Sequence, residues 1–175
     1  MTCTGARLAA FLAMDSSLSV PRDVRRYPAE AAHMIDLPHF PYHRDPIASD
    51  SVRETDTPCD CCGETRGVTY TGNTYCLAKP KTLCPWCIQN GKAENKYDAS
   101  FFDADFVDDD MNPVDLPPEA HSAVFGRTIG FATFNPIGWW VHCGEPAEYV
   151  RRDEPYDMIF ECRKCGKQHT IMDLD

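Results

Sequence analysis

The chain has 175 residues, the length of one ordinary domain, and its 43% hydrophobic and 25% charged residues exclude wholesale disorder. No stretch approaches the ~18 consecutive apolar residues of a membrane-spanning helix, and a formal net charge of −10 argues against binding a polyanion over an extended basic face. Two outliers need explaining, 14 prolines and 10 cysteines: the first predict many irregular segments, the second either disulfides or metal chemistry.

Residues 1–33 differ from the rest, being Ala-rich and then turn-prone with Pro21, Pro28 and the cluster Arg22, Arg25, Arg26. The apolar run from Leu8 to Met14 has no small-x-small cleavage site behind it, so a secretory leader is disfavoured. The segment reads as a mobile extension, or as an artefact preceding a true start at Met34. From Asp36 to Pro46 the prolines at 38, 41 and 46 exclude a continuous helix and predict an extended arm, whose Phe40 and Tyr42 need a surface to cover. His43 and Asp45 could form an acid/base pair, and His39 lies four residues before His43, but without a helix the packed-arm reading is favoured over catalysis.

Residues 66–75 alternate and turn at Gly72-Asn73, predicting a hairpin with Val68 and Tyr70 on one face. Residues 88–98 lack proline and predict a short helix, and Phe101, Phe102 and Phe106 recur at roughly helical spacing. Between Asp98 and Glu119 lie eight acids and no Lys or Arg, which predicts a solvated loop; the spacing lacks the pattern of a calcium loop. Residues 130–143 read as two short strands around Asn135-Pro136, with Trp139 and Trp140 on opposite faces, one for the core and one to cap a groove or cover a cysteine cluster. Residues 156–161 and 167–172 read as a final hairpin turning at Cys165-Gly166.

The strongest signal is Cys59-x-x-Cys62-Gly63, 21 residues, then Cys84-Pro85-Trp86-Cys87. Each C-x-x-C turn puts two sulfurs on one side of a tight bend, and two turns complete a tetrahedron with Zn–S bonds of ~2.3 Å. Gly63 can take the positive φ that follows the second sulfur of such a knuckle. Close pairing of the cysteines also favours metal-bound thiolates in a reducing cytoplasm over a disulfide framework. Cys84-Pro85-Trp86-Cys87 taken alone would suit a thiol-disulfide oxidoreductase, but no strand is predicted before it and Cys59 with Cys62 would be left unexplained.

A second candidate site comprises His142, Cys143, Cys162 and Cys165, the last followed by Gly166 as in the first knuckle. Position 146, where a symmetric ribbon would carry cysteine, is Pro146. Strand neighbours face opposite sides, so His142 and Cys143 can both ligate only if a strand ends there; His169 and Glu145 are rival donors. No Walker A, G-x-G-x-x-G or G-x-S-x-G pattern is present, and no catalytic residue is assigned.

In order along the chain, Leu37-Pro38-x-Phe40-x-Tyr42-His43-x-Asp45-Pro46, Cys59-x-Cys61-Cys62-Gly63, Tyr70 and Tyr75, Cys84-Pro85-Trp86-Cys87-Ile88, Gly91, Phe101, Asp103, Arg127-Thr128-x-Gly130, Trp139, His142-Cys143 and Cys162-x-x-Cys165-Gly166-Lys167 resemble the bacterial CbrC family. That family includes a colicin tolerance protein. Ile129 stands where the family is expected to carry proline, and the segment between Cys143 and Cys162 is shorter. The resemblance implies a small, zinc-binding cytoplasmic protein, with residues 34–175 as the domain.

These readings converge on a small, loop-rich α+β protein with zinc-ribbon-like knuckles and a few short helices, holding one Zn²⁺ at Cys59, Cys62, Cys84 and Cys87 and a second at the His142 cluster. Four thiolates around one Zn²⁺ add −2 to the formal −10, which weighs further against nucleic acid despite the patch Arg151, Arg152, Arg163, Lys164 and Lys167. The expected role is an interaction adaptor or stress-tolerance factor with a protein partner. The alternatives are a metal-dependent enzyme using the C-terminal site and the oxidoreductase named above.

Overall fold

A computed structural model describes residues 36–153 and 156–173; the expected extension at residues 1–33 lies outside them. Within this span the protein is α+β, with short strands, three short helices and much irregular chain. No helix among the described residues is long and apolar enough to cross a membrane.

Residues 36–46 are free of helix, as the prolines dictate, but not extended throughout: the arm turns at Pro41-Tyr42, where His43 N–H donates to Phe40 O at 3.3 Å, and is sewn into the fold around His43. Phe40 is buried, His43 bridges in parallel to Tyr149, and Arg44 N–H donates to Tyr149 O at 2.9 Å. His43 is 1% exposed, with Nδ1 donating to Ile129 O at 2.7 Å and Nε2 accepting from Ser49 Oγ at 2.8 Å. Asp45 does not pair with it: its carboxylate caps the Ile47 and Ala48 amides at 3.0 and 2.9 Å.

Strand β1 (Val52–Glu54) pairs antiparallel with β2 (Val68–Tyr70). The hairpin expected within residues 66–75 therefore does not form; β2 turns back on the chain before it. Tyr70 explains why: its hydroxyl donates to Asn73 O at 3.0 Å and Phe101 O at 3.2 Å, folding the following segment over the ring, and Tyr75 instead bridges to Ser100. The single helix expected over residues 88–98 is two, α1 (Pro85–Gln89) and α2 (Lys92–Tyr97). Gly91, at φ +75°, breaks the run between them. Phe101, Phe102 and Phe106 are all buried but not helical. Their spacing reflects an irregular segment driven between two cores rather than a helix face.

β3 (Phe106–Val107) runs parallel to β4 (Trp139–His142), with Phe106 opposite Trp139 and Val107 opposite Trp140. Between them lie α3 (Pro118–His121), continued by one π-helical turn (Ser122–Gly126). Residues 130–138 are irregular, so only one of the two strands expected around Asn135-Pro136 exists. β4 turns into β5 (Glu145–Pro146), and a separate antiparallel sheet joins β6 (Glu148–Asp153), β7 (Asp157–Glu161) and β8 (Gln168–Met172) in that order. β7 and β8 are the expected C-terminal hairpin. Glu148 of β6 and Glu161 of β7 stand opposite each other in the sheet, and Arg44 from the arm bridges both, at 2.6 and 2.9 Å.

The interior divides into two apolar clusters. One gathers Phe40, Tyr70, Leu83, Ile88, Ala93, Ala99, Phe101 and Ile129 around Cys59, Cys84 and Cys87. The other is aromatic: Trp139 lies edge-on to Phe102 and Phe160, Phe131 stacks on Tyr149, and Cys162 sits at its margin. Trp139 and Trp140 are both 0% exposed, although they face opposite sides of β4.

Candidate metal centres

Two knuckles share one backbone pattern. Cys59 N–H donates to Glu64 O at 3.0 Å and Gly63 N–H to Cys59 O at 2.7 Å; Cys162 N–H donates to Lys167 O at 2.8 Å and Gly166 N–H to Cys162 O at 2.9 Å. The turn closes only if the residue after the second cysteine takes positive φ, and Gly63 (+77°) and Gly166 (+74°) do so without a Cβ penalty. Cys84 enters α1 directly, with Pro85 in the first turn of the helix.

The first knuckle is held against the Cys84 turn by Asp60. Its carboxylate accepts the Lys81 and Thr82 amides at 2.7 and 3.1 Å, and its own amide donates to Thr82 O at 2.9 Å. From the other side Lys96 Nζ and Tyr97 Oη of α2 donate to Asp60 O at 2.9 and 2.8 Å. The clamp brings the sulfurs of Cys59, Cys62, Cys84 and Cys87 within 4.8 Å of one another. Cys62 and Cys84 are 3.9 Å apart, where a tetrahedron with Zn–S bonds of ~2.3 Å requires about 3.8 Å and a disulfide about 2.05 Å. All nine described cysteines are unbridged.

The donor set fits a divalent cation on electrostatic grounds as well. Burial opposes ionisation of Cys62, but the Glu64 amide and the thiols of Cys87, Cys59 and Cys84 outweigh it and bring its pKa down to about 7. Burial pushes Cys84 up to about 11 and raises Cys87 too, with neighbouring thiols adding to the rise in Cys87. Cys62 is thus accommodated as a thiolate while Cys84 and Cys87 hold their protons, since negative charges packed at this distance need a cation among them. Cys84 N–H, donating to Cys59 Sγ at 3.2 Å, supplies a further favourable dipole. Cys59, Cys84 and Cys87 are buried and Cys62 is half-buried. Cys61 is buried beside Cys87 but outside the four-sulfur group, and Cys76 is half-buried on the following segment.

At the second cluster β4 does end at His142, which satisfies the condition for both neighbours to ligate. Cys143 (φ +53°) and Gly144 (φ +77°) form the two-residue turn to β5, with His142 opposite Glu145 in register. His142, Cys143 and Cys165 lie within 4.8 Å of one another. Cys162 is adjacent rather than within that group: its thiol contacts those of Cys143 and Cys165 and donates to His142 O at 3.8 Å. Neither rival donor joins the group. Glu145 pairs with Lys164 at 3.7 Å, and His169 stacks on Trp140. Cys143 and Cys165 are exposed, in contrast to the first centre.

Sequence reasoning missed Asp60 and Asp109, both of which look like ordinary surface acids. Seven of the eight acids between residues 98 and 119 serve no cysteine cluster. Asp109 does, lying 3.4 Å from His142 Nδ1 while accepting Trp140 Nε1–H at 2.9 Å and Lys167 Nζ–H at 2.7 Å. No sequence signal marked it; only the parallel pairing does, since continuing Val107↔Trp140 by two residues sets position 109 level with 142. Phe40 and His43, expected as a packed arm, are interior residues, which leaves neither open to a partner.

The sequence model of the uncharacterised protein family UPF0167 matches residues 37–157, more than half the chain. A UPF0167 protein of Pseudomonas aeruginosa is 37% identical over 115 residues, covering 65% of this chain and 62% of its own. UPF0167 proteins of Mycobacterium bovis and Mycobacterium tuberculosis are each 36% identical over 115 residues, covering 65% of this chain and 59% of their own. The chain thus matches about three fifths of the length of these relatives. The family span includes the first centre and His142-Cys143 but ends before Cys162 and Cys165. No solved structure matches.

Proposed function

The chain belongs to the uncharacterised protein family UPF0167, and from that premise we propose that it is a cytoplasmic interaction adaptor whose fold is held by structural zinc at Cys59, Cys62, Cys84 and Cys87. The observation that carries this reading is the closed first centre: four thiols converge, three of them buried, and fill a tetrahedral ion's coordination with protein ligands. Such a centre offers no position for a reacting water. Zinc is the ion that an all-thiolate tetrahedron suits best among redox-inert divalent metals. When bound it supplies a fixed charge and four bonds, and the residues around it do the rest: Asp60 joins the knuckles, and Lys96 and Tyr97 dock α2 on them.

The surface that meets a partner is the segment between Cys62 and Cys84. Leu77 is fully exposed there, beside the exposed ring of Tyr75. The likeness to the CbrC family noted above supports reading the adaptor role as that of a stress- or colicin-tolerance factor. Affinity capture from a bacterial lysate tests the adaptor role: capture of a defined protein that is lost on Leu77→Asp, with zinc content unchanged, supports it. Metal-dependent turnover of a small substrate by a Leu77→Asp chain would contradict it. The oxidoreductase reading finds no support in the geometry, because Cys84 and Cys87 share one cluster with Cys59 and Cys62, and α1 is entered from irregular chain rather than a strand.

A further inference from the structure

We propose that the C-terminal cluster is a second, separate metal centre of the zinc class, formed by Cys143, Cys162, Cys165 and His142, in which Asp109 positions the histidine ligand. Three features on two segments converge on it. The knuckle Cys162–Gly166 repeats the hydrogen-bond pattern of the first centre's knuckle, and the tight turn at Cys143-Gly144 delivers a third sulfur against it. β4 ends at His142 and so brings an imidazole to the same point.

The histidine is held from behind. Its Nδ1 faces the Asp109 carboxylate at 3.4 Å, and its ring stacks on Trp140 with centroids 5.0 Å apart and planes 18° apart. Trp140 and Lys167 donate to the same carboxylate, so Asp109 is itself fixed. A carboxylate at Nδ1 fixes the tautomer that carries its proton there and leaves the Nε2 lone pair as the metal donor. Cys162 uses its thiol proton on His142 O. Deprotonation on metal binding ends that contact and frees the sulfur for the ion. Lys164, donating to Cys143 O at 3.0 Å, and Lys167 offset the charge of the thiolates. With Cys143 and Cys165 exposed, this ion exchanges with solvent more readily than the buried first one.

Cobalt(II) titration of the full chain, with thiolate-to-cobalt absorption as readout and a chromophoric chelator as competitor, tests the proposal. Two ions bind per chain. Cys143→Ser and Cys165→Ser abolish one, and the first centre's absorption, lost only in Cys59→Ser, reports that the variants are folded. Asp109→Asn, which keeps the shape and an acceptor for Trp140, weakens the second ion by about 10–100-fold and leaves the first unchanged. Saturation at one ion with absorption indifferent to Cys143→Ser overturns the second centre. Two ions with unaltered affinities in Asp109→Asn, or both weakened equally, overturn the role of Asp109. Loss of the first ion alone would instead contradict the structural-zinc reading above and leave this centre standing.

Discussion

His43 makes the stability of this protein depend on pH in a way that can be read off its surroundings. The ring is buried against Phe131 and Tyr149, and burial lowers its pKa from 6.5 to about 4, against the opposing effects of the Ile129 carbonyl and Asp45. The unfolded chain therefore binds a proton below about pH 6.5 that the folded chain refuses until about pH 4, and stability falls as pH falls through that window. At about 1.4 kcal/mol per pH unit the loss amounts to about 3 kcal/mol by pH 4. His43→Asn retains a donor for Ile129 O and removes the titration. The experiment is urea denaturation of metal-loaded wild type and His43→Asn between pH 4 and 7.5. Carboxylates and metal thiolates titrate alike in both chains and cancel in the difference. The variant is less stable than wild type at pH 7.5, because it leaves a void beside Tyr149, and the gap closes by about 3 kcal/mol on acidification. A gap that stays constant across the range would refute the reasoning.

Further outcomes follow from the packing and the first centre. Cys87→Ser removes a buried ligand and lowers bound zinc by one per chain, measured by plasma mass spectrometry, with loss of near-ultraviolet dichroism from the Tyr70 and Phe101 cluster. Trp139→Ala empties the middle of the aromatic core and orphans Ala147 O, which now accepts the indole N–H at 2.9 Å; the expected cost in chemical denaturation is about 3–5 kcal/mol. Gly130→Ala drives a Cβ into the Phe101 carbonyl oxygen and to 2.7 Å from the Tyr70 hydroxyl. Backbone cannot yield as a side-chain tip does, so a destabilisation of about 1–3 kcal/mol or more is expected in the same assay.

The cysteine spacing carried the first centre because a C-x-x-C turn is local: the chain needs only its own next few residues to place two sulfurs. The C-terminal hairpin was legible for the same reason, with alternating strands flanking a glycine turn. What sequence could not show depends on distant partners. Tyr70 closes on Phe101 and so diverts the hairpin expected at Gly72-Asn73 to β1, and the three phenylalanines mimic helical spacing because they fill two cores at once. Asp109 is indistinguishable from its acidic neighbours until the parallel pairing of β3 with β4 sets it beside His142. Phe40, read as part of an arm, is core because the arm runs along Tyr149 and under Ile129 rather than over the surface.

The central claim is that four cysteine sulfurs hold a structural metal ion between the two N-terminal knuckles. Zinc K-edge X-ray absorption on full-length Cys143→Ser protein, purified without added metal and quantified for zinc, isolates that centre. The account predicts one zinc per chain in an all-sulfur shell at about 2.3 Å. A substoichiometric metal content, or a shell of oxygen and nitrogen near 2.0 Å, would contradict it.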